Sequence, residues 1–282
     1  MGLTSTKTYQ NVIQQGVLYL EKHQKQSFLA ERLIMDRMDW NRTDLLLHLK
    51  KKMSEPAYLQ YLKDLNELIE GKPLQYIVGK EWFYDLPLKV TSDTLIPRPE
   101  TEELVHEALK QLKGKENLNV LDIGTGSGAI AIAMKANRPN DEVTATDISE
   151  KALQVAEENA LTHHVDIRFL QGDLLEPVSL EMFDCILSNP PYISHDEEYL
   201  MDESVLKYEP HSALFADHEG LSIYEKLAYE LPFYLKTDGC LFMEIGFQQG
   251  ERLSTLYKRA FPDKEVSILQ DSNGQDRILM VL

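Results

Sequence analysis

Apolar residues in the first 70 positions recur every three or four residues, which is the spacing of one face of an α-helix. This spacing predicts four helices, over residues 9–22, 28–38, 44–52 and 56–70. In the fourth, Ser54 is a candidate N-cap, Pro56 falls in the first turn, and Gly71 is the expected end. Its predicted apolar stripe consists of Leu59, Leu62, Leu65 and Ile69.

The pattern changes between Pro73 and Ile96, where aromatic and β-branched residues become frequent. Such residues favour extended chain, and the segment is interpreted as an extended connection or a hairpin between two domains. The predicted organisation is a helical domain over residues 1–78, a linker or hairpin over 79–96, and a second domain over 97–282.

From Pro97 onward, short apolar runs alternate with longer helical stretches. The predicted strands are 119–123, 142–147, 167–171, 183–188, 240–245, 265–269 and 277–282. The predicted helices between them include 129–138, 150–160, 221–235 and 248–261. This alternation predicts an open, Rossmann-like α/β sheet of seven mostly parallel strands with helices on both faces.

Composition narrows the class of protein. The 282 residues are 43% hydrophobic and 27% charged, which is typical of a globular chain with a substantial core. The 46 acidic residues exceed the 29 basic ones, giving a formal charge of -17. A field of that sign repels phosphate backbones, so we expect no direct nucleic-acid binding.

The cysteines and the amino-terminal sequence each restrict the interpretation. The two cysteines, Cys185 and Cys240, lie in apolar runs without a CxxC pair, so they are interpreted as core thiols rather than zinc or redox ligands. The first ten residues lack a basic segment followed by an apolar one, and no apolar run approaches the roughly 18 residues of a membrane span. We expect a cytoplasmic protein without membrane contact.

A glycine-rich turn follows the strand at 119–123. Gly124, Thr125, Gly126, Ser127 and Gly128 separate this buried strand from the helix that begins at Ala129. Glycine permits a tight turn and a close approach of backbone to ligand, at the sheet edge where such folds bind cofactors. The same pattern also fits a dinucleotide fingerprint with Ala129 in the last glycine position, so a nicotinamide enzyme stays an alternative.

Two aspartates follow the next strands along the same edge. Asp147 ends the strand TATD, where a carboxylate can accept hydrogen bonds from two ribose hydroxyls, and the alternative is an N-cap for the next helix. Asp173, in QGDLL, suits an adenine amino group, although a turn or cap aspartate would look the same.

The most informative segment is Ser188–Ile193, with the sequence SNPPYI, directly after the apolar strand FDCILS. The Asn189 side-chain oxygen and the Pro190 carbonyl can both accept hydrogen bonds from one planar NH2 group. Pro191 stiffens the loop, and Tyr192 can stack on the planar acceptor. These groups also stabilise the positive charge that develops when the nitrogen is methylated, so no histidine or carboxylate base is required.

Beyond these residues, the sequence closely resembles the HemK/PrmC family of protein-(glutamine-N5) methyltransferases along nearly its whole length. The shared segments are the glycine loop, the Asn-Pro-Pro-Tyr loop, PLQYIVG from Pro73, IPRPETE from Ile96, Tyr208-Glu209-Pro210 followed by Ala213-Leu214, and Glu244-Ile245-Gly246. The resemblance implies a methyltransferase that modifies the glutamine of the GGQ motif in class I peptide chain release factors.

The resemblance also implies roles for individual residues. Gly124–Gly128 and Asp147, with Asp173, Leu174 and Asn189, would contact S-adenosyl-L-methionine, which leaves as S-adenosyl-L-homocysteine. Residues Asn189–Tyr192 and Arg98 would hold the glutamine. Leu174 stands where some members carry an aromatic ring beside the adenine, so stacking there stays open. The amino-terminal helices would recognise the release factor, and we expect a monomer that binds no metal.

Three alternatives remain open at this point. An adenine-N6 methyltransferase would present the same planar NH2 to the loop, but the net charge opposes capture of a nucleic-acid strand. A nicotinamide-dependent oxidoreductase leaves the loop at Asn189 without a role. A binding module without catalysis has no need of both loops together. For the segment at Arg98, a helix-capping role of the neighbouring acids is as compatible with the sequence as a site role.

Overall fold

The computed structural model describes residues 7–179 and 181–282, so the first six residues of the predicted domain 1–78 lie outside it. The chain divides into two compact units. One consists of the chain up to Lys80 together with Glu203–Tyr208, and the other of Glu81–Asp202 together with Glu209–Leu282. Along the described residues, no helix combines the length and apolar character needed to cross a membrane.

The amino-terminal unit is helical. Its helices are α1 (Tyr9–Lys22), α2 (Leu29–Met38), α3 (Arg42–His48), α4 (Glu55–Ile69), α5 (Leu74–Val78) and, later in the chain, α9 (Glu203–Tyr208). The predicted span of α1 is confirmed, as is the Ser54 cap of α4, whose hydroxyl accepts from the Ala57 N–H. Helix α3 begins earlier than predicted, because Asn41 and Asp44 form a reciprocal capping box.

The predicted apolar stripe of α4 is confirmed at Leu65 and Ile69 and wrong at Leu59 and Leu62. Leu59 and Leu62 are 58% and 39% exposed, whereas Tyr61, Leu65 and Leu68 are buried. The buried face also contains a charge, Asp64. The inward face of α4 therefore includes a charged residue, and leucine positions alone do not identify that face.

A bidentate ion pair explains why Asp64 tolerates burial. The Arg37 guanidinium donates to both carboxylate oxygens, at 2.8 and 2.9 Å, and also to the Ile77 carbonyl at 2.6 Å. Gln60 donates to the same carboxylate at 2.7 Å. The pair therefore joins α2 and α4 to the end of α5, and three N–H donors stabilise the buried charge.

The segment after Pro73 differs from the predicted extended chain. Residues Leu74–Val78 form a helical turn, with Pro73 at its N-cap and Gly79 in the left-handed conformation at its C-cap. Burial of Tyr76 and Ile77 outweighs the extended preference of these aromatic and β-branched residues. A two-stranded sheet follows, formed by β1 (Lys80–Phe83) and β2 (Leu86–Lys89).

The second unit alternates strands and helices. Its strands are β3 (Asn119–Ile123), β4 (Glu142–Asp147), β5 (Arg168–Gln171), β6 (Phe183–Ser188), β7 (Leu235–Glu244), β8 (Val266–Gln270) and β9 (Asp276–Val281). Its helices are α6 (Pro99–Gln111), α7 (Ala129–Asn137), α8 (Glu150–Thr162), the single turn α10 (Asp217–Gly220), α11 (Ser222–Glu230) and α12 (Gly250–Ala260). Short 3-10 turns occur at Glu176–Val178, His195–Leu200, His211–Ala213 and Leu231–Phe233.

The predicted seven-stranded, mostly parallel sheet is confirmed. Its strand order is β5-β4-β3-β6-β7-β9-β8, and only β9 runs antiparallel to its neighbours. The one large error concerns β7, which begins at Leu235 rather than at residue 240. Residues 236–239 interrupt the apolar pattern, so the sequence gives no sign that the strand begins before them. The pairing of β6 with β7 changes register between Phe183 and Cys185.

Each face of this sheet has its own core. Val120 and Phe242 pack with α6 and α7 side chains such as Leu104 on one face. Leu121 packs on the other face with residues of α11 and α12, including Tyr224. This double coverage explains why the central strands are apolar at successive positions. Cys185 and Cys240 are buried within the first core and unbridged, as the sequence predicts.

Candidate functional site

The glycine loop and the Asn-Pro-Pro-Tyr loop emerge side by side. The loops follow β3 and β6, which are hydrogen-bonded neighbours with Ile123 opposite Ser188. The Ser188 hydroxyl donates to the Ile123 carbonyl at 2.8 Å, which ties the two strand ends together. Strands β4 and β5 are added to one side of β3, and β6 and β7 to the other, so the order of strands reverses between β3 and β6. Open α/β sheets bind ligands at such a switch point.

The glycine loop requires its glycines. Gly124, Gly126 and Gly128 have φ angles of +72°, +56° and +82°, a region that side chains disfavour. At Gly128 a Cβ would also lie 3.1 Å from the Ala156 Cβ, so α8 packs directly on the loop. The loop is held from below, because the Gly124 and Thr125 N–H groups both donate to the Thr146 carbonyl.

Asp147 ends β4 and supports the glycine loop. Its two carboxylate oxygens accept from the Gly126 N–H at 2.8 Å and from the Ser149 N–H at 2.9 Å. The N-cap alternative is wrong, because Ser149 caps α8 through the Ala152 N–H. Burial raises the pKa of Asp147 above its ordinary value, and backbone N–H groups oppose the rise. A carboxylate has about four acceptor sites, so acceptor capacity remains for a ligand.

Asp122 introduces a carboxyl into the core directly below the loop. One oxygen accepts from the Thr125 hydroxyl at 2.6 Å and from the Ala131 N–H at 3.2 Å, whereas Oδ1 has no hydrogen-bond partner among the described residues. Complete burial raises the pKa of Asp122 to about 7, and the charge of Asp147 adds to the rise. The hydroxyl of Thr125 thus points to the core, while the side chain of Ser127 is buried.

Asp173 and Leu174 follow β5 at the rim. The Asp173 carboxylate accepts from the Lys226 ammonium of α11 at 2.5 Å, a partner that the sequence did not suggest. Leu174 has a φ of +50°, and its carbonyl accepts from the Thr146 hydroxyl at 3.0 Å. Both residues line the same cavity as the glycine loop.

Four side chains from three distant parts of the chain form a network at the edge of this cavity, and two of them, Thr101 and Asn189, line it. The Asn189 Nδ2 donates to the Thr101 hydroxyl at 3.1 Å, and that hydroxyl donates to the Glu244 Oε2 at 2.6 Å. The Tyr192 hydroxyl donates to the other oxygen, Oε1, at 3.2 Å. Burial raises the pKa of Glu244, while the Thr101 hydrogen bond, the charge of Arg277 and the Tyr192 hydrogen bond oppose the rise.

The far end of the Asn-Pro-Pro-Tyr loop is held through its backbone. The Gln249 amide donates to the Tyr192 carbonyl at 3.0 Å and accepts from the Gly246 N–H at 3.0 Å. The turn α10 packs closely against the same carbonyl, since a Cβ on Gly220 would lie 2.0 Å from the Tyr192 carbonyl oxygen. Glu219, next to it, also adopts positive φ, which is a strained conformation for its residue type.

Arg98 has a structural partner. Its guanidinium donates to Glu209, whose side chain is only 1% exposed, and the other Glu209 oxygen accepts from the Ile96 N–H at 3.2 Å. The IPRPETE and YEP segments are therefore joined by one ion pair, although they are far apart in sequence. Arg98 still borders the cavity.

The cavity between the two loops measures about 310 Å³, within the range of small-molecule sites. It brings together most of the residues singled out in the sequence, namely Arg98, Gly124, Thr125, Gly126, Ser127, Asp147, Asp173, Leu174, Asn189 and Pro191. Gly128, Pro190 and Tyr192 are not among its lining residues. Pro190 is buried, and the Tyr192 hydroxyl is directed to Glu244.

Sequence interpretation missed several residues of this site. Thr101 stood between acids that were interpreted as helix caps, and Gln249 carried no signal. Glu244 was noticed only through the family resemblance. Ile148 borders the cavity and is 65% exposed, which is unusual for isoleucine after a buried strand, and hydrophobicity at that position was the available signal.

This sheet order, with a glycine loop after β3 and Asn-Pro-Pro-Tyr after β6, defines the Rossmann-like methyltransferase class. The 16S rRNA N2 G1207 methyltransferase of T. thermophilus, solved with AdoMet and guanosine, shares the fold at a TM-score of 0.51. It is 14% identical over 72% of this chain and 49% of that chain. Residues 102–208 match the methyltransferase small domain, and residues 11–79 match the PrmC N-terminal domain.

Sequence relatives define the family more closely. The release factor glutamine methyltransferase of Enterococcus faecalis is 43% identical over 96% of this chain and 98% of its own length. The release factor glutamine methyltransferase of Streptococcus pneumoniae is 45% identical over 85% of each chain. The chain belongs to the release factor glutamine methyltransferase family.

Proposed function

We propose that this protein transfers a methyl group from S-adenosyl-L-methionine to the side-chain amide nitrogen of the glutamine in the GGQ motif of class I release factors. The observation that carries the proposal is the orientation of Asn189 at the mouth of the cavity. Its NH2 group is engaged by Thr101, which leaves Oδ1 as an acceptor for a substrate NH2.

The cavity suits S-adenosyl-L-methionine. A ligand could approach the backbone at Gly124 and Gly126, where no atom of the described residues, apart from the adjacent ones in the chain, lies within 4 Å of the Cβ position. The Asp147 carboxylate, which borders the same cavity, could accept from ribose hydroxyls. Asp173 and Leu174 border the same space and would face the adenine. Bound there, the cofactor supplies an electrophilic methyl group and leaves as S-adenosyl-L-homocysteine.

The chain's own residues prepare a weak nucleophile. An amide nitrogen has a delocalised lone pair, so it must be held in line with the methyl group. The Asn189 Oδ1 and the Pro190 carbonyl would each accept one hydrogen bond from the glutamine NH2. Their dipoles stabilise the positive charge that develops on this nitrogen, which then loses one proton to solvent.

The partner assignment also rests on the family. Relatives named for release factors align along nearly the entire chain, including the amino-terminal helices. We assign recognition of the release factor to the helical domain 1–78, joined through 79–96 to a methyltransferase domain 97–282. Because release factors act in translation, the reaction would take place in the cytoplasm. The protein would work as a monomer.

The test is methylation of an unmodified release factor, followed by peptide mass spectrometry, with DNA and RNA assayed in parallel. A single added methyl on the GGQ glutamine is expected. Methyl-adenine without labelled protein would overturn the substrate, and no transfer to any acceptor would overturn the activity.

A variant links the assay to the site. Asn189→Ala should lower turnover by about 10²-fold or more, as loss of one preorganised transition-state contact does. The dissociation constant for S-adenosyl-L-methionine, measured by calorimetry, should stay near that of the wild type. Unchanged turnover would contradict the role of Asn189.

A further inference from the structure

The Asn189 amide can occupy its space in two ways. A rotation by 180° about its last side-chain bond exchanges the oxygen and the NH2 group with almost no change in shape. In one orientation the oxygen is available to a substrate NH2. In the other, Asn189 would present its own NH2 to that donor, and the two groups could form no hydrogen bond. Something must select between them.

Glu244 provides the selection. Its two oxygens each accept from a hydroxyl, Oε2 from Thr101 at 2.6 Å and Oε1 from Tyr192 at 3.2 Å. The Thr101 and Tyr192 hydrogen bonds and the charge of Arg277 favour the charged form of Glu244 against the effect of burial, and a carboxylate can only accept. The carboxylate is 1% exposed, so water does not compete for these donors.

Thr101 transmits the selection. Its hydroxyl has a single hydrogen, which Glu244 takes. Toward Asn189, therefore, Thr101 can only accept, and the group that faces it at 3.1 Å must be the NH2. The oxygen of the amide is thereby directed away from Thr101.

We propose that Thr101 and Glu244 are positioning residues that fix the Asn189 amide with Oδ1 toward the substrate nitrogen. This inference rests on the proposed function. The chain of hydrogen bonds also ends on a charge, and such chains polarise their members. Electron density moves toward the Asn189 oxygen, which makes it a better acceptor for a nitrogen that gains positive charge.

Glu244 acts on both ends of the loop. Through Thr101 it orients Asn189, and directly it holds the Tyr192 hydroxyl. The three segments that carry these groups begin α6, follow β6 and end β7, so the loop is clamped from two sides. No contact to the cofactor is needed for this role, which separates it from cofactor binding in an experiment.

The test compares Thr101→Val, which keeps the shape and removes the hydroxyl, with Thr101→Ser, which restores the hydroxyl. Thr255→Val on α12 is the matched control, because the Thr255 hydroxyl donates to the Glu251 carbonyl of its own helix, away from the Asn189 network. Steady-state kcat and KM are measured with an unmodified release factor, the cofactor dissociation constant by calorimetry, and Tm by thermal unfolding.

Thr101→Val should lower kcat by about a hundredfold, the scale of a misplaced reacting group, without a change in cofactor affinity. Thr101→Ser should recover most of the turnover, and Thr255→Val should match the wild type. In an Asn189→Ala background, Thr101→Val should cost no further turnover, because the residue through which it acts is gone. Glu244→Gln should reproduce the loss and provides a second route if Thr101→Val folds poorly.

Three results would overturn the inference. These are wild-type kcat in Thr101→Val, equal losses in the valine and serine variants together with lowered Tm, and full additivity with Asn189→Ala. The proposed function fails separately, if the wild-type enzyme itself transfers no methyl group to the release factor.

Discussion

Asp122 should make the protein less stable as pH rises through neutrality, and the magnitude follows from its surroundings. The carboxyl is completely buried, one oxygen has no hydrogen-bond partner in the part of the chain that the structure describes, and burial raises its pKa from an ordinary 3.8 to about 7. The folded state therefore holds the proton more tightly than the unfolded chain. Its stabilising contribution is complete below about pH 4 and is lost as pH rises through about 7.

Between pH 5 and pH 8 the loss amounts to about 3 kcal/mol, from integration of the linkage relation with these two pKa values. Asp122→Asn has no proton to lose, so its free energy of unfolding lacks this component. The difference in unfolding free energy, wild type minus Asp122→Asn, should fall by about 3 kcal/mol over that range. Effects of other titrating groups cancel in the difference to the extent that they are independent.

Urea unfolding of the ligand-free protein, followed by circular dichroism at four pH values from 5 to 8, measures this difference. Asp263→Asn, at an exposed position, is the control for the amide substitution itself. A difference that stays constant across the series would refute a carboxyl that titrates near 7. A difference that rises with pH would mean that the buried charge is stabilised by groups around it, contrary to the structure.

Three further predictions concern other contacts. Asp147→Ala should weaken S-adenosyl-L-methionine binding by about thirtyfold, since hydrogen bonds to a charged group contribute about 2 kcal/mol, and an unchanged dissociation constant by calorimetry would contradict it. Gly220→Ala places a Cβ 2.0 Å from the Tyr192 carbonyl oxygen, so turnover should drop while cofactor affinity persists; normal kinetics would show that the turn yields freely. Arg37→Met removes the charged partner of buried Asp64, so the free energy of unfolding, measured in urea, should fall by about 3 kcal/mol. A fall of less than about 1 kcal/mol would argue against a compensating ion pair.

The central sheet was predictable because its strands are apolar on both faces and end at glycine, proline or aspartate. The spans of β3, β4 and β6 are confirmed residue by residue. Predictions from local residue preference were wrong where tertiary packing opposed that preference. The short helix α5 contains Tyr76, Ile77 and Val78, which favour strands, whereas its proline and glycine ends indicate a helix. In α4, the inward face includes a buried aspartate, whose partner Arg37 lies on another helix.

The candidate site was predictable only where it is local in sequence. The glycine loop and the Asn-Pro-Pro-Tyr loop are contiguous segments with their own chemistry. The hydrogen bonds from Thr101 to Glu244 and from Asn189 to Thr101 span 143 and 88 residues, and a single sequence carries no record of such pairs. The Lys226 partner of Asp173 was hidden for the same reason.

The adjacency of β3 and β6 has a consequence for how this chain can change in length. Ile123 lies opposite Ser188, so the two loops start one interstrand spacing apart, about 4.8 Å, however many residues lie between them. Insertions in the loops between α7 and β5 would change the edge of the cavity but not the spacing between β3 and β6. A slip of one residue between the two strands would displace one loop by about 3.3 Å, as much as the approach distance of the reacting atoms. The pairing of two strands, rather than the length of any loop, is therefore the quantity that sets the reach between methyl donor and acceptor.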